Sequence, residues 1–566
     1  MDHNGDLYGT TLYGGRYESL VGLFLTGDGT AFKLKHPSAP GGKWTETVIS
    51  NFGKGSDGSF PNPGLVIDKN GNLYGTTPAG GAYPPYGGNA FELKPPSRPG
   101  GRWTESVLWN FGNGDDGNTL SAGLTMDKSG NLYGTSTNGG TDDQAGTVFE
   151  LTPPALKGGN WSESILWKFG TGTDGINPWA GLTMDAEGNL YGTTLNGGAY
   201  GPYTGFGTVF QLKPPSTPGG EWTESVLWSF GNDSDGYALY SGLVVDRGGN
   251  LYGVTACGGA YGGSAGGEGT LFELTPPSIN GGNWTESILW NFGNATDGGS
   301  PFAGLIMDSG GNLYGTTGSG IYGLDCGNGG GTNNGGIAFE LTPPAAIGED
   351  WTESILWNFG SNGSNAYYPT GSLVMDASGN LLGTREGGAY GVTFAGTAFE
   401  ISTSAILTTS PNNLNFGRIK AGEISKAKKV TLTNKGILTA QISAATATAP
   451  FAISGTADTC SDQSIAPNGT CSFYVEFAPT VADIADGSVD VIYNGTSPVL
   501  TLKGNGIAKQ KNRLTNGVQN GCCKAAFAQP SEPSGKSAGE RFSCDGPSAA
   551  WFVTVTQQFG NLIGQS

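Results

Sequence analysis

Apolar and polar positions alternate with a period of two in short runs, and these runs recur along most of the chain. In WTESVLWNF (103–111), Trp103, Glu105, Val107 and Trp109 fall on one face of a strand. Three further runs complete a unit: AGLTMD (122–127), NLYGTS (131–136) and TVFEL (147–151). Gly or Pro interrupts every window with helical spacing, so no helix is predicted. The units are self-similar. GNLYGT starts at Gly71, Gly130, Gly188 and Gly311, with variants at Gly5, Gly249 and Gly379, at intervals of 58 to 68 residues. Four short strands in a repeat of about 60 residues predict β-propeller blades.

Strand counting leaves the blade number at six or seven. Residues 1–34 supply only a third and a fourth strand, and six full units follow, which makes 26 strands. Met1-Asp2 aligns with Met126-Asp127, so the chain is read as beginning inside a blade. An upstream piece, carrying any export signal, is then expected to be missing from this sequence. Between the second and third strands lies M-D-x-x-G-N-L-Y, a tight turn in which Asp127 accepts backbone N–H groups and Gly130 supplies a positive φ. Asp68, Asp185, Asp246, Asp308 and Asp376 are read as the same structural turn.

The pattern changes near residue 405. Glycine thins out, and alternating runs such as KKVTLTN (428–434) and CSFYVEF (471–477) follow over about 100 residues, as in an immunoglobulin-like sandwich. The expected organisation is an all-β propeller over 1–405, a β-sandwich over 406–508 and a polar linker or low-order tail over 509–566. That tail holds one short apolar piece, 551–556.

Composition narrows the functional classes. Of 566 residues, 102 are glycine and only 13% are charged, against usual shares of about 7% and 25%. The formal net charge of −19 disfavours nucleic acid as a partner. No apolar run is long enough to span a bilayer. Two histidines, His3 and His36, all but exclude His-dependent triads and multi-His metal sites. Cys460 and Cys471 bracket a turn-rich loop and are read as a disulfide, whereas Cys257 and Cys326 sit in glycine loops and are read as free.

The repeat resembles the GloVer tandem-repeat family of bacterial proteins, on its GNLYGTT segments, GG-A-Y loops and segments such as GTVFQLKPP (207–215). The resemblance implies an exported protein joined to a choice-of-anchor module, and it carries over no catalytic residue. The second domain resembles the abnormal-spindle/Hydin type of immunoglobulin-like domain (choice-of-anchor D), on LNFG (414–417), VTLTN (430–434), IAPNGTC (465–471), VEFAPT (475–480) and LKGNG (502–506). It implies a spacer or interaction module.

In an up-and-down blade the loops after strands one and three emerge at the same end. One set carries Asp57, Asp116, Asp174, Asp235 and Asp297, each before Gly; the other carries Tyr83, Tyr200, Tyr261, Tyr322 and Tyr390. Carboxylates beside aromatic faces suit a glycan or protein ligand, and these ten residues are the candidate binding face. The alternative is that they only build turns and cover blade edges. Asp and Asn clusters at 113–118 and 232–235 offer oxygen ligands of the calcium type, but the EF-hand pattern is absent and no metal or other cofactor is expected. Glu105, Glu163, Glu224, Glu286 and Glu353 keep the repeat symmetry, and are expected to bond strand backbone or Thr hydroxyls across blades. The expected function is therefore non-enzymatic binding of an extracellular glycan or protein at the cell surface, by a monomer. A carbohydrate-active enzyme, a glycoside hydrolase or lyase using face carboxylates, is the main alternative, and a surface scaffold without a ligand is another.

Overall fold

The Asp-x-x-Gly-Asn turn closes a hairpin in six of the repeats, from Asp68 to Asp376. Asp127 Oδ1 accepts from the backbone N–H groups of Ser129 and Asn131, both at 2.8 Å, and Gly130 sits at φ +89°. The hairpin joins Thr125–Met126 to Leu132–Ser136, which pairs in turn with Thr147–Thr152 and then Ser162–Lys168, all antiparallel. This computed structural model describes residues 1–508 apart from loop stretches, the longest being 319–335, 360–368 and 386–395. Among the described residues it contains strands and no helix.

Seven such sheets follow one another. The second to sixth are four-stranded, beginning at Val66–Ile67, Thr125–Met126, Thr183–Met184, Val244–Val245 and Ile306–Met307. The first has three strands, Leu7–Thr11, Thr30–Lys35 and Thr45–Asn51. The seventh also has three, Val374–Met375, Leu381–Arg385 and Thr397–Ile401. The 26 strands counted from sequence are thus present, but their phase differs. The Trp-Thr-Glu strand is the last of a sheet, not the first, and is preceded there by three strands of the unit before it. A hairpin, Glu18–Val21 with Phe24–Gly27, is added inside the first sheet's loop.

The strict alternation expected in 103–111 breaks at a bulge. Phe91 lies opposite Val107 and Ala90 opposite Trp109, so Leu108 is the extra residue and Trp109 turns to the other face. Glu105 therefore faces the preceding sheet, and Trp109 packs toward the following one.

The core lies between sheets. Six clusters each join one sheet to the next; Tyr74, Ala90, Leu108 and Phe111 of the second, for instance, pack on Leu124, Leu132 and Phe149 of the third. Each junction holds a phenylalanine pair, from Phe52–Phe91 to Phe359–Phe399, with centroids 4.6 to 5.1 Å apart. The glycine of Leu-Tyr-Gly makes room for it: a Cβ on Gly134 would stand 2.5 Å from Phe149 Cζ.

Residues 405–507 form two five-stranded sheets around one core. The burial of Thr470–Phe477 alternates as its sequence does, with Cys471, Phe473, Val475 and Phe477 inside. Cys460 and Cys471 are bridged, with Cα atoms 5.1 Å apart. Cys257 is also disulfide-bonded, which corrects its reading as a free thiol. Cys326 and the tail cysteines lie outside the described residues.

Candidate functional site

The two sets of loops singled out from sequence meet at one end of the sheets. Backbone bridges pair Ser59 with Ala79, Asn118 with Asn138, Ile176 with Asn196 and Tyr237 with Cys257, each joining an Asp-Gly loop to a glycine loop.

The aspartates at this end face inward. Asp116, Asp174, Asp235 and Asp297 are buried, and Asp57 is half-buried. Asp116 Oδ1 accepts from Gly112 N and Asn113 N at 3.0 Å, and its Oδ2 from Trp109 Nε1 at 3.3 Å. Asp174, Asp235 and Asp297 repeat this with Trp167, Trp228 and Trp290. Asp57 accepts from Gly53 N. Burial raises all five carboxyls above the usual range, Asp57 to about 6. Each holds its own loop, and the following glycine is needed for closeness: a Cβ on Gly117 would stand 2.0 Å from Ser136 Oγ. The tyrosines differ. Tyr83, Tyr200 and Tyr261 are 42%, 47% and 41% exposed. Tyr322 and Tyr390 lie outside the described residues.

At the opposite end the turn aspartates hold hairpins. Oδ2 of Asp68, Asp127, Asp185, Asp246 and Asp308 accepts from the next tyrosine hydroxyl and from the turn asparagine, and Asp376 keeps the asparagine bond.

The Trp-Thr-Glu glutamates do not make the expected bonds to backbone or Thr hydroxyls. Glu105 Oε2 accepts from Ser50 Oγ of the first sheet. In Glu105, Glu163, Glu224, Glu286 and Glu353, Oε1 is buried without a hydrogen-bond partner. Burial, reinforced by the charge of the Asp-Gly aspartate of the preceding sheet, raises Glu163, Glu224 and Glu286 to about 7 and Glu353 to about 8. The same charge repulsion, of Asp116 on Glu163 for example, recurs at successive junctions. Within NGDDGN, Asp115 is exposed and pairs with Lys168, while Asp116 is held by its loop. Among the described residues no three His, Cys, Asp or Glu side chains gather as a metal site.

One cluster at the loop end departs from the repeat. At the position three residues before the leucine that leads into each short first strand, the third and seventh sheets carry Ser121 and Thr370. The three sheets between them carry Trp179, Tyr240 and Phe302. Their rings form a row, with Trp179 and Tyr240 6.1 Å apart and nearly perpendicular, and Tyr240 and Phe302 5.1 Å apart. Tyr240 and Phe302 rest on buried Ala238, Ala256 and Cys257. Trp179 is 37% exposed. Among the described residues, neither Trp179 Nε1 nor the Tyr240 hydroxyl has a hydrogen-bond partner. The signal was present in the sequence as three aromatics in register, but it emerges only once the sheets are placed side by side.

A family model described as the Gloeobacter/Verrucomicrobia repeat matches residues 1–162 and 155–326. A HYDIN/CFA65/VesB-like Ig-like domain model matches residues 405–505. No curated protein matches the chain. Among solved structures, the ASH/PapD-like domain 7 of human CEP192 is 15% identical, with 19% of this chain and 89% of that one covered and a TM-score of 0.16. The secreted serine protease VesC of Vibrio cholerae is 11% identical, with 30% and 42% covered and a TM-score of 0.15. A protein of unknown function from Porphyromonas gingivalis is 10% identical, with 30% and 90% covered and a TM-score of 0.16.

Proposed function

The chain belongs to the Gloeobacter/Verrucomicrobia repeat family, and from that premise we propose that it is an exported, surface-associated binding protein: its seven sheets are the blades of a propeller, and its loop end takes an extracellular glycan. The observation that carries this reading is the row Trp179, Tyr240, Phe302, which breaks the symmetry that the buried Asp-Gly aspartates of the same loops keep. Repeated residues hold a repeat; a ligand site is where the repeat is broken.

The chemistry of the row favours an uncharged glycan. Trp and Tyr offer apolar ring faces with a polar tip, and here both tips have unspent donors. A net charge of −19 works against anionic ligands. A stable protein partner needs about 800 Å² on each side, and three partly buried rings flanked by Ser121 and Thr370 give only a fraction of that.

The test is binding of the full chain to a glycan array, with a reducing-sugar release assay alongside. Trp179→Ser and Phe302→Thr place at these positions residue types that the neighbouring sheets already carry, so the fold is expected to survive. Binding to neutral glycans that weakens about tenfold or more in either variant, with no sugar released, supports the reading. Binding unchanged by both variants removes the row from the site. Sugar release abolished by one Asp or Glu substitution would instead establish an enzyme.

A further inference from the structure

The repeat is broken a second time where the first sheet meets its Asp-Gly loop. Elsewhere the tryptophan seven residues ahead of the aspartate donates to its Oδ2, as Trp109 does to Asp116 and Trp167 to Asp174. The corresponding residue ahead of Asp57 is Ser50, whose hydroxyl donates to Glu105 instead. Asp57 keeps the bond from Gly53 N, at 3.1 Å, but has no indole.

A second carboxylate accompanies that loss. Asp28 precedes Gly29, whose carbonyl accepts from Phe52 N. Gly88, Gly146 and Gly207 accept in the same way from Phe111, Phe169 and Phe230, and the residues before them are Gly87, Ala145 and Phe206. Asp28 is only 2% exposed. A Cβ on Gly53 would stand 2.1 Å from Asp28 Oδ2, so this carboxyl packs on the same residue whose N–H Asp57 holds. Among the described residues Asp28 has no cationic partner, and its Oδ1 is buried without a hydrogen bond. The fifth sheet supplies a contrast. It also carries an acid at this position, Glu268, but there Trp290 still donates to Asp297.

Negative charge thus gathers around Gly53, where desolvation makes it costly. Burial, with the charge of Asp28 behind it, raises Asp57 to about 6. Glu105, raised to about 7 chiefly by burial, is pushed further by the charge of Asp57, and its own Oε1 is buried without a partner. At neutral pH Asp57 is ionised beside Asp28, and no side-chain cation of the described residues offsets the pair.

We infer that Asp28 and Asp57 hold a hard divalent cation of the calcium type between the first sheet and its Asp-Gly loop. Carboxylate oxygens are the donors such an ion prefers. Among the described residues no third His, Cys, Asp or Glu joins them as a ligand, which leaves the rest of the shell to carbonyl oxygens and water. Two charges then set a modest affinity, in the ~10⁻⁴–10⁻³ M range of extracellular modules. The ion ties the start of Thr30–Lys35 to the loop that leads into the second sheet. The inference stands apart from the glycan reading, which concerns the fourth to sixth sheets.

Calcium chloride alone is the probe, added to the full chain after chelator treatment and at constant ionic strength. At about 10 mM calcium the melting midpoint of the repeat region is expected to rise by about 2 °C or more. Asp28→Asn and Asp57→Asn should each abolish the rise. Asp116→Asn, in an equivalent loop that has its indole and no second acid, should retain it. Without calcium, Asp28→Asn should melt no lower than the wild-type chain, because it removes a buried charge that has no partner; loss of a merely structural aspartate would lower the midpoint. No rise in the wild-type chain overturns the inference, as does a rise that survives Asp28→Asn. A calcium-free Asp28→Asn that melts well below wild type overturns it in favour of a structural role. A rise lost equally in Asp116→Asn overturns it in favour of diffuse attraction to a chain of net charge −19. None of these outcomes touches the glycan reading, which is measured through Trp179 and Phe302.

Discussion

Trp44 Nε1 donates a hydrogen bond to Glu400 Oε2 at 3.2 Å, joining two residues 356 positions apart. The contact follows the rule of the other junctions, with one substitution. Trp103 packs on Tyr8 at 5.9 Å and Trp222 on Tyr133 at 6.2 Å, each on the sheet before its own. In the seventh sheet that tyrosine is Leu382. Glu400 corresponds to Glu150, Glu273 and Glu340, which accept from the tyrosine hydroxyl. Without that hydroxyl, Glu400 takes the indole instead.

Trp44→Ala is expected to destabilise the repeat region by about 1–2 kcal/mol, through lost packing of a partly exposed ring. Glu400→Gln keeps an acceptor and is expected to change stability by less than about 0.5 kcal/mol. Urea denaturation followed by far-UV signal checks both. Equal effects of the two would mean that charge, not packing, holds this junction.

Stability should fall as pH rises from about 5 to 8. The carboxyls of Glu105, Glu163, Glu224 and Glu286 are raised to about 7 and that of Glu353 to about 8, chiefly by burial. In the unfolded chain a glutamate titrates near ~4.3. Between these values the folded state binds more protons than the unfolded state. The contribution is therefore fully present below the unfolded value and is lost as pH passes the folded ones. Partial exposure and salt reduce its size. Asp2, Asp308 and Asp458 are lowered and act the other way, only at more acid pH. Melting temperatures across this window should decline, and the decline should flatten in the combined Glu163→Gln, Glu224→Gln, Glu286→Gln variant. An unchanged slope in that variant would show that these groups do not couple to folding.

Gly134→Ala is expected to cost about 1–3 kcal/mol, because the new methyl overlaps the Phe149 ring. Phe149→Leu should make the same substitution milder, giving a positive coupling in a double-mutant cycle. Gly64→Ala, with open space around it, should be near neutral. Chemical denaturation of the four variants decides.

Breaking the Cys460–Cys471 bridge should destabilise the module by about 3 kcal/mol, as expected for closing a loop of this length. Cys460→Ser with Cys471→Ser, followed by melting with and without reductant, measures this. The repeat region should melt as before.

Much of the fold was legible because period-two runs and turn residues recur. A single strand such as 147–151 is ambiguous, but seven copies in register are not. The phase of the sheets was not legible, since a repeat reads the same whichever strand is placed first. Nor was the bulge at Leu108, which depends on what Phe91 and Ala90 meet across the sheet. Backbone bridges join the Asp-Gly loops to the glycine loops, a neighbourhood that strand order suggests. The roles of its residues were not, because Asp-Gly looks identical whether its carboxylate faces solvent or, as in Asp116, its own loop. The row of Trp179, Tyr240 and Phe302 needed three neighbouring sheets to become visible.

Six of the junctions between neighbouring sheets are crossed by the covalent chain, which runs from each last strand into the next sheet. Among the described residues the first and seventh sheets share no such crossing, and they meet through contacts such as Trp44 with Glu400. A pulling force spread over the sheets therefore meets peptide bonds at six places and side chains at one. Stretched between a surface and a tethered ligand, the molecule should yield first at that seam, and a single early rupture in a force–extension trace would mark it.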